Sequence, residues 1–326
     1  MGNPPLSIPE PPQSIGSILE KQSFNFLWLL VGVAPCQICW LCRATKGANN
    51  DMDLCFTNAS ETAPFWGTYC DSMPWLEAPP YSELDGFEIS QVVPDLLHVL
   101  NLGVGRDVCG SILKTLVKEC HVFAGDTIDA RLHAATVSLH QFARAHALPL
   151  RMKKLSRKKL NWGSNRYAEL STGSGYDVSV VARWLEHILA THTSIYPDFA
   201  TLLWSLNKSM SILYDGPWFL SDEDRQRVRT LGSIFMRVFL KLANEALRKN
   251  EFYWRCRPKL HMLHHIFRCH RSVNPAKFST WMDEDWLKKV SKPLRLVSAV
   301  TSQARILQRW LLALPLHLQK SMNIAG

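Results

Sequence analysis

The sequence predicts a mainly α-helical protein, a bundle of long helices. Three observations carry this. Apolar residues recur at helical spacing through much of the chain from Pro94 onwards. Helix-start signals precede those runs, clearest in "SDEDRQRV" at 221–228, where Ser221 can cap and Asp222, Glu223 and Asp224 face the positive end of the helix dipole. At 326 residues and 47% hydrophobic, the chain has enough apolar mass to bury a sizeable core, which excludes a mostly disordered polymer.

Taken in order, residues 1–22 are rich in Pro, Ser and Gly and read as a disordered tail. Residues 23–93 join an apolar run and a Cys-rich knuckle to an irregular Trp/Pro segment. The run "FNFLWLLVGVAP" at 24–35 is too short for a membrane span and reads as a buried strand or helix. No charged n-region precedes it, so a signal peptide is not expected. In residues 94–150, Leu96, Leu97, Leu100, Val104, Val108, Ile112, Leu113 and Leu116 mark one helix, weakened in the middle by Gly103 and Gly105, and 127–147 a second. Residues 151–176 form a basic, solvated connector. In 177–326, helices are expected over Asp177–His192, Pro197–Tyr214, 221 to about 249, 258–270 and roughly 293–312.

Net charge is +9 and unevenly spread. Residues 1–150 hold 8 Lys/Arg against 15 Asp/Glu, and residues 151–326 hold 29 against 13. A basic half of that strength suits a polyanionic partner, most simply nucleic acid. Within "RMKKLSRKKLNWGSNR", Arg151, Lys153, Lys154, Arg157, Lys158, Lys159 and Arg166 are the candidate phosphate contacts or a nuclear-import signal. Nine cysteines, an odd count in a long chain, argue for a reducing compartment over a secreted disulfide framework.

Four stretches can carry chemistry. "CQICWLC" sets Cys36, Cys39 and Cys42 at C-x2-C-x2-C spacing, which suits Zn²⁺ with Cys55 or Cys70 as the fourth ligand. The same cysteines also suit small apolar positions of a buried element. "HMLHHIFRCH" puts His261, His265 and Cys269 on one helical face, where two histidines four apart can share a metal or sit half-buried beside basic surface. In "PDLLHVLNLGVGRDVCGSIL", Asp95 and His98 lie one turn apart, so the carboxylate can fix the imidazole tautomer or cap the helix. "FSTWMDEDWLKKV" holds Asp283, Glu284 and Asp285 in a row, either a dipole-paired helix start or a carboxylate cluster for a metal.

Together and in this order, the stretches resemble DDE-type DNA transposases with an RNase H-like core, of the CACTA-like and KDZ-like groups. The resemblance rests on "CQICWLC", "APFWGTYCDSMPW", "DLLHVLNLGVGRDVCGS" and "RPKLHMLHHI…NPAKFSTWMDEDW", and it spans most of residues 36–312. It implies a transposable-element origin and DNA as partner. It implies a nuclear location, and a helical bundle that is the remnant of an RNase H-like α/β core carrying a helical insertion. It also implies a carboxylate site for two Mg²⁺ or Mn²⁺ ions, with Zn²⁺ a further candidate at the knuckle. Glu284 matches the last catalytic acid, with Asp283 and Asp285 as neighbours able to substitute. Asp71 or Asp85 would be the second, with Asp95 and His98 as supporting residues.

The first catalytic Asp has no counterpart, because the 35 residues before Cys36 contain no Asp. The expectation is therefore a C-terminal part or degenerate copy of a transposase, without strand-transfer activity by itself, completed by a missing N-terminal part or a second copy if at all. The competing expectation is a non-catalytic helical interaction protein with a Cys-x2-Cys zinc knuckle.

Overall fold

The structure, a computed structural model, describes residues 38–46, 54–68, 83–88, 91–119, 121–163, 165–172, 174–269, 271–281, 308 and 311–312. Nearly all of these belong to one unit, residues 33–73 and 84–279, and the account below is of that unit. The tail, the apolar run 24–35, the acidic triplet and most of the helix expected at 293–312 lie outside the described residues.

Six α-helices lie among the described residues and form a bundle, the class that the sequence predicts. A π-helical segment, Leu97–Val104, runs directly into α1, Gly105–Glu119. The others are α2 Ile128–Ala145, α3 Gly175–Ala190, α4 Pro197–Asp215, α5 Asp222–Arg248 and α6 Pro258–Arg268, followed by a 3-10 turn at Pro275–Phe278. Local chemistry sets the starts. Ser221 accepts from the Asp224 backbone N–H at 3.1 Å, and Thr127 accepts from Ala130 at 3.2 Å. Proline opens both α4 and α6, where its missing N–H costs nothing.

The weak point between Gly103 and Gly105 becomes the π-helical segment. Gly103 leaves helical geometry (φ −134°, ψ −111°), and a Cβ there would lie 2.5 Å from Lys259 Cδ and 2.8 Å from the His98 carbonyl oxygen. Glycine is required because the His98 carbonyl leaves no room for a Cβ, while the Lys259 stem of α6 crowds the same place. All eight apolar positions marked between Leu96 and Leu116 are buried.

The most extensive packing joins α4 to α5, an antiparallel hairpin closed by residues 216–221. α5 buries Val228, Gly232, Phe235, Met236, Phe239, Leu242 and Ala246, one stripe at three- and four-residue steps. At Gly232 a Cβ would stand 2.4 Å from Phe267 Cβ, so glycine lets α6 lie down on α5. The other face of α6 rests on the π-helical segment, and α3 packs on α1, α2 and α4.

One expectation needs correction. Residues 151–172 are not a freely solvated connector. Met152, Leu155, Leu160, Ala168 and Leu170 are buried, and the Leu170 N–H donates to the Arg106 carbonyl at 2.9 Å. Glu169 crosses α1 where a Cβ on Gly110 would come within 2.5 Å of its backbone. An apolar residue every few positions anchors the segment while the basic ones project. The described residues contain no sheet, only isolated bridges, Thr45 to Cys55 and Phe219 to Val273. No helix among the described residues is long and apolar enough to cross a membrane.

Candidate metal centre

Cys39 and Cys42 meet His261 and His265 of α6, although some 220 residues separate the pairs (219 between Cys42 and His261). All four ligand atoms lie within 4.8 Å of one another. Cys42 Sγ is 3.2 Å from His261 Nε2 and 3.4 Å from His265 Nε2. Cys39 Sγ is 3.3 Å from His265 Nε2, and the two imidazole Nε2 atoms are 3.1 Å apart. A zinc ion with bonds of ~2.3 Å to sulfur and ~2.0 Å to nitrogen needs tetrahedral edges of roughly 3.3–3.8 Å between donors. The donor set, two thiols and two imidazoles, is that of structural Cys2His2 sites. Geometry and donor chemistry therefore both fit Zn²⁺.

Each ligand is held by its own local structure. The knuckle is closed by an Ile38 N–H to Ala44 C=O hydrogen bond of 3.1 Å and bridged to residues 54–56 through Thr45. The Leu41 N–H points back at Cys39 Sγ at 3.2 Å, and Trp40 Nε1 donates to the Val92 carbonyl at 3.0 Å. His261 and His265 are four apart on α6, so their rings share a face. Phe65 and Trp66 lie beside them. Trp66 stacks on His261 with centroids 5.8 Å apart and meets His265 edge-on at 4.9 Å. The Arg268 guanidinium sits 4.2 Å over the Trp66 ring.

The protonation pattern suits a cation. Hydrogen bonding from Cys39, then from His261 and His265, draws the Cys42 thiol down to about 3 against the effect of burial. Burial, and then the neighbouring Cys42 sulfur, pushes Cys39 up. Burial lowers His261 and so favours the neutral ring that a metal ligand requires. His264 is a neighbour rather than a ligand. Its ring packs edge-on against Trp66 at 4.8 Å, and burial brings it down to about 3.

A second polar cluster seats the first turn of α6. Arg257, its N-cap residue, pairs with the fully buried Asp107 of α1, and its Nη2 lies 3.5 Å from Glu169 Oε2. Burial outweighs Arg257 and pushes the Asp107 carboxyl up to about 7. Lys259 Nζ donates to the Leu102 carbonyl at 3.2 Å. The "GVGRD" and "RPKLH" stretches thus touch directly.

The other site residues fall as follows. His98 Nδ1 hydrogen-bonds Asp95 Oδ2 and Asp95 Oδ1 accepts from the Leu97 N–H at 3.1 Å, so this aspartate caps the helix and orients the imidazole at once. Asp85 is exposed on a turn, while Asp71, Asp283, Glu284 and Asp285 lie outside the described residues. Arg151, Lys153, Lys154, Arg157, Lys158 and Arg166 are exposed and Lys159 is half-buried. Arg157 makes a two-pronged pair with Asp129, at 3.1 and 2.9 Å.

Of the two cysteines expected as a fourth zinc ligand, only Cys55 lies among the described residues. Cys55 Sγ bonds Thr57 Oγ1 at 3.1 Å, while the histidine pair completes the set. Cys36 and Cys70 lie outside the described residues. Cys269 leaves the histidine face because it ends α6 in the left-handed conformation, φ 45°. The signal available in the sequence was that C-x2-C and H-x3-H are each half of one Cys2His2 pattern. No family model, curated protein or solved structure matches this chain.

Proposed function

We propose that this chain is a transposase-derived, nucleic-acid-binding protein in which a zinc ion clasps the N-terminal Cys knuckle to α6. One observation carries the reading: Cys39 and Cys42 share a centre with His261 and His265. Two of the four stretches by which the sequence resembles DDE transposases, "CQICWLC" and "RPKLHMLHHI", are joined there. Zinc would act as a structural ion, since four protein ligands leave no open position for a substrate. Binding would fall to the exposed basic side chains of residues 151–166, which neutralise phosphates. A nuclear location follows from that partner.

No metal-dependent strand transfer is part of the proposal. Of the carboxylates that would hold Mg²⁺ or Mn²⁺, only Asp85 lies among the described residues, and it stands exposed on a turn. The same metal centre also favours a second reading, a helical interaction protein without nucleic acid.

The test is the metal content of the purified chain together with duplex DNA binding across a salt series. One zinc per chain, with affinity falling steeply as salt rises, is the expected result. Zinc without DNA binding at low salt would move the assignment to the interaction protein. Absence of zinc after purification without chelators would remove the clasp.

A further inference from the structure

Resting on the nucleic-acid reading, we infer that the molecule carries an aromatic platform for unpaired bases beside its basic segment, and that its preferred ligand is single-stranded nucleic acid. Three rings are gathered there from two separate parts of the chain. Trp162 and Tyr167 come from the end of the basic segment and Tyr253 from the loop between α5 and α6. The Ala168 N–H donates to the Phe252 carbonyl at 2.9 Å, and Asn161 Nδ2 donates to the Tyr167 carbonyl at 3.0 Å. The first bond joins the two segments, and the second closes the turn that carries Trp162 and Tyr167. Tyr167 is 37% exposed, and Trp162 and Tyr253 are half-buried.

A cation sits at each ring. Lys114 Nζ is 5.9 Å from the Trp162 centroid and 5.1 Å from that of Tyr253. The Arg255 guanidinium is 5.7 Å from the Tyr167 centroid. Arg255 and Arg166 are exposed. Of the acids nearby, Glu251 lies 3.6 Å from Lys118 and Glu169 turns toward Arg257.

Phosphates alone would need only the lysines and arginines. Half-exposed rings find no counterpart on a duplex, whose base faces are stacked inside. On a single strand each base offers a π-face, and rings interleaved with cations bind it without regard to sequence. Basic side chains beside the rings would track the backbone as the bases stack.

The experiment uses the full zinc-loaded chain and fluorescence anisotropy with two probes, a labelled oligothymidine of about twenty nucleotides and a duplex of the same length. Wild type is expected to bind the single strand more tightly. Trp162→Ala and Tyr167→Leu should each weaken single-strand binding by about five- to a hundred-fold and duplex binding by less than about two-fold. Tyr167→Phe should restore it. Unchanged far-UV circular dichroism and zinc content in the variants would show that the fold is intact. Equal or tighter duplex binding by wild type, or equal losses on both probes, would overturn the platform while leaving the nucleic-acid reading in place. Binding to neither probe at low salt would sink both.

Discussion

Helix α6 is held at two places by two different kinds of chemistry. At its start, Arg257 meets a fully buried carboxylate, Asp107, across from α1. One turn further on, His261 and His265 meet two cysteines from the knuckle. The first anchor pairs a guanidinium with a carboxyl that had to leave water entirely, a cost that outweighs the attraction between them. The second gathers two thiols and two imidazoles within ligand distance of one another, and a metal would convert three buried and one half-buried polar side chain into bonds. The ion pair forms between protein groups alone and leaves Asp107 Oδ2 and Arg257 Nε without hydrogen-bond partners, whereas the Cys/His centre would gain its strength from an added ion.

The largest effect expected is on the second anchor. Cys42→Ser or His261→Ala should lower the bound zinc from one per chain towards none. It should also destabilise the unit by roughly 5 kcal/mol, a part of the 10–16 kcal/mol seen when zinc folds a small peptide. For a unit of this size that is a fall in Tm of about 10–20 °C. Zinc analysis and calorimetry check it, and a chelator should reproduce it in the wild type. An unchanged Tm with zinc lost would mean that the knuckle is held by packing alone, through Trp40 and Phe65.

Next comes the ion pair. Arg257→Ala leaves Asp107 buried without its partner and should cost about 3–5 kcal/mol by urea denaturation. A loss under 1 kcal/mol would show that Asp107 is already neutral in the wild type.

The two anchors also differ in their response to pH. Asp107 is raised to about 7 by burial, against about 3.9 in an unfolded chain. The folded state therefore keeps a proton that the unfolded state releases between those values. That contribution is fully present below about pH 4 and lost as pH rises through 7. Relative to Asp107→Asn, wild type should lose roughly 2 kcal/mol between pH 5 and 7.5. Zinc ligation runs the other way and weakens as acid protonates the ligands. A difference that stays flat with pH would place Asp107 as an ordinary ionised partner of Arg257.

The smallest effect belongs to the surface. Arg157 and Asp129 are well paired but exposed, with half or more of each side chain open to solvent. Arg157→Ala should cost less than about 1 kcal/mol in stability. If Arg157 also contacts phosphate, its loss should lower the salt slope of DNA binding by about one.

What could be read from the sequence depended on range. The α4–α5 hairpin was legible because apolar spacing, the Ser221 cap and the opening proline all act within a turn or two. The Gly103–Gly105 weakness was legible too, although its outcome, a π-helical segment with Lys259 packed beside Gly103, was not. The basic segment was recognised by its charge, but its anchoring was not, because Met152, Leu155 and Leu160 are too sparse to show a period. The metal centre was read as two half-sites, each with the right internal spacing. Nothing local states that a C-x2-C at 39–42 and an H-x3-H at 261–265 belong together.

By itself, then, the sequence determined the helical class, the helix starts and the distribution of charge, since each follows from interactions within a few residues. Only the tertiary structure decided which distant residues share a site. It set Gly232 under Phe267 so that α6 could lie on α5. It brought Asp107 to Arg257, and it closed the knuckle over His261 and His265. Those choices depend on how whole faces pack, and packing is a property of the folded chain rather than of any one stretch of it.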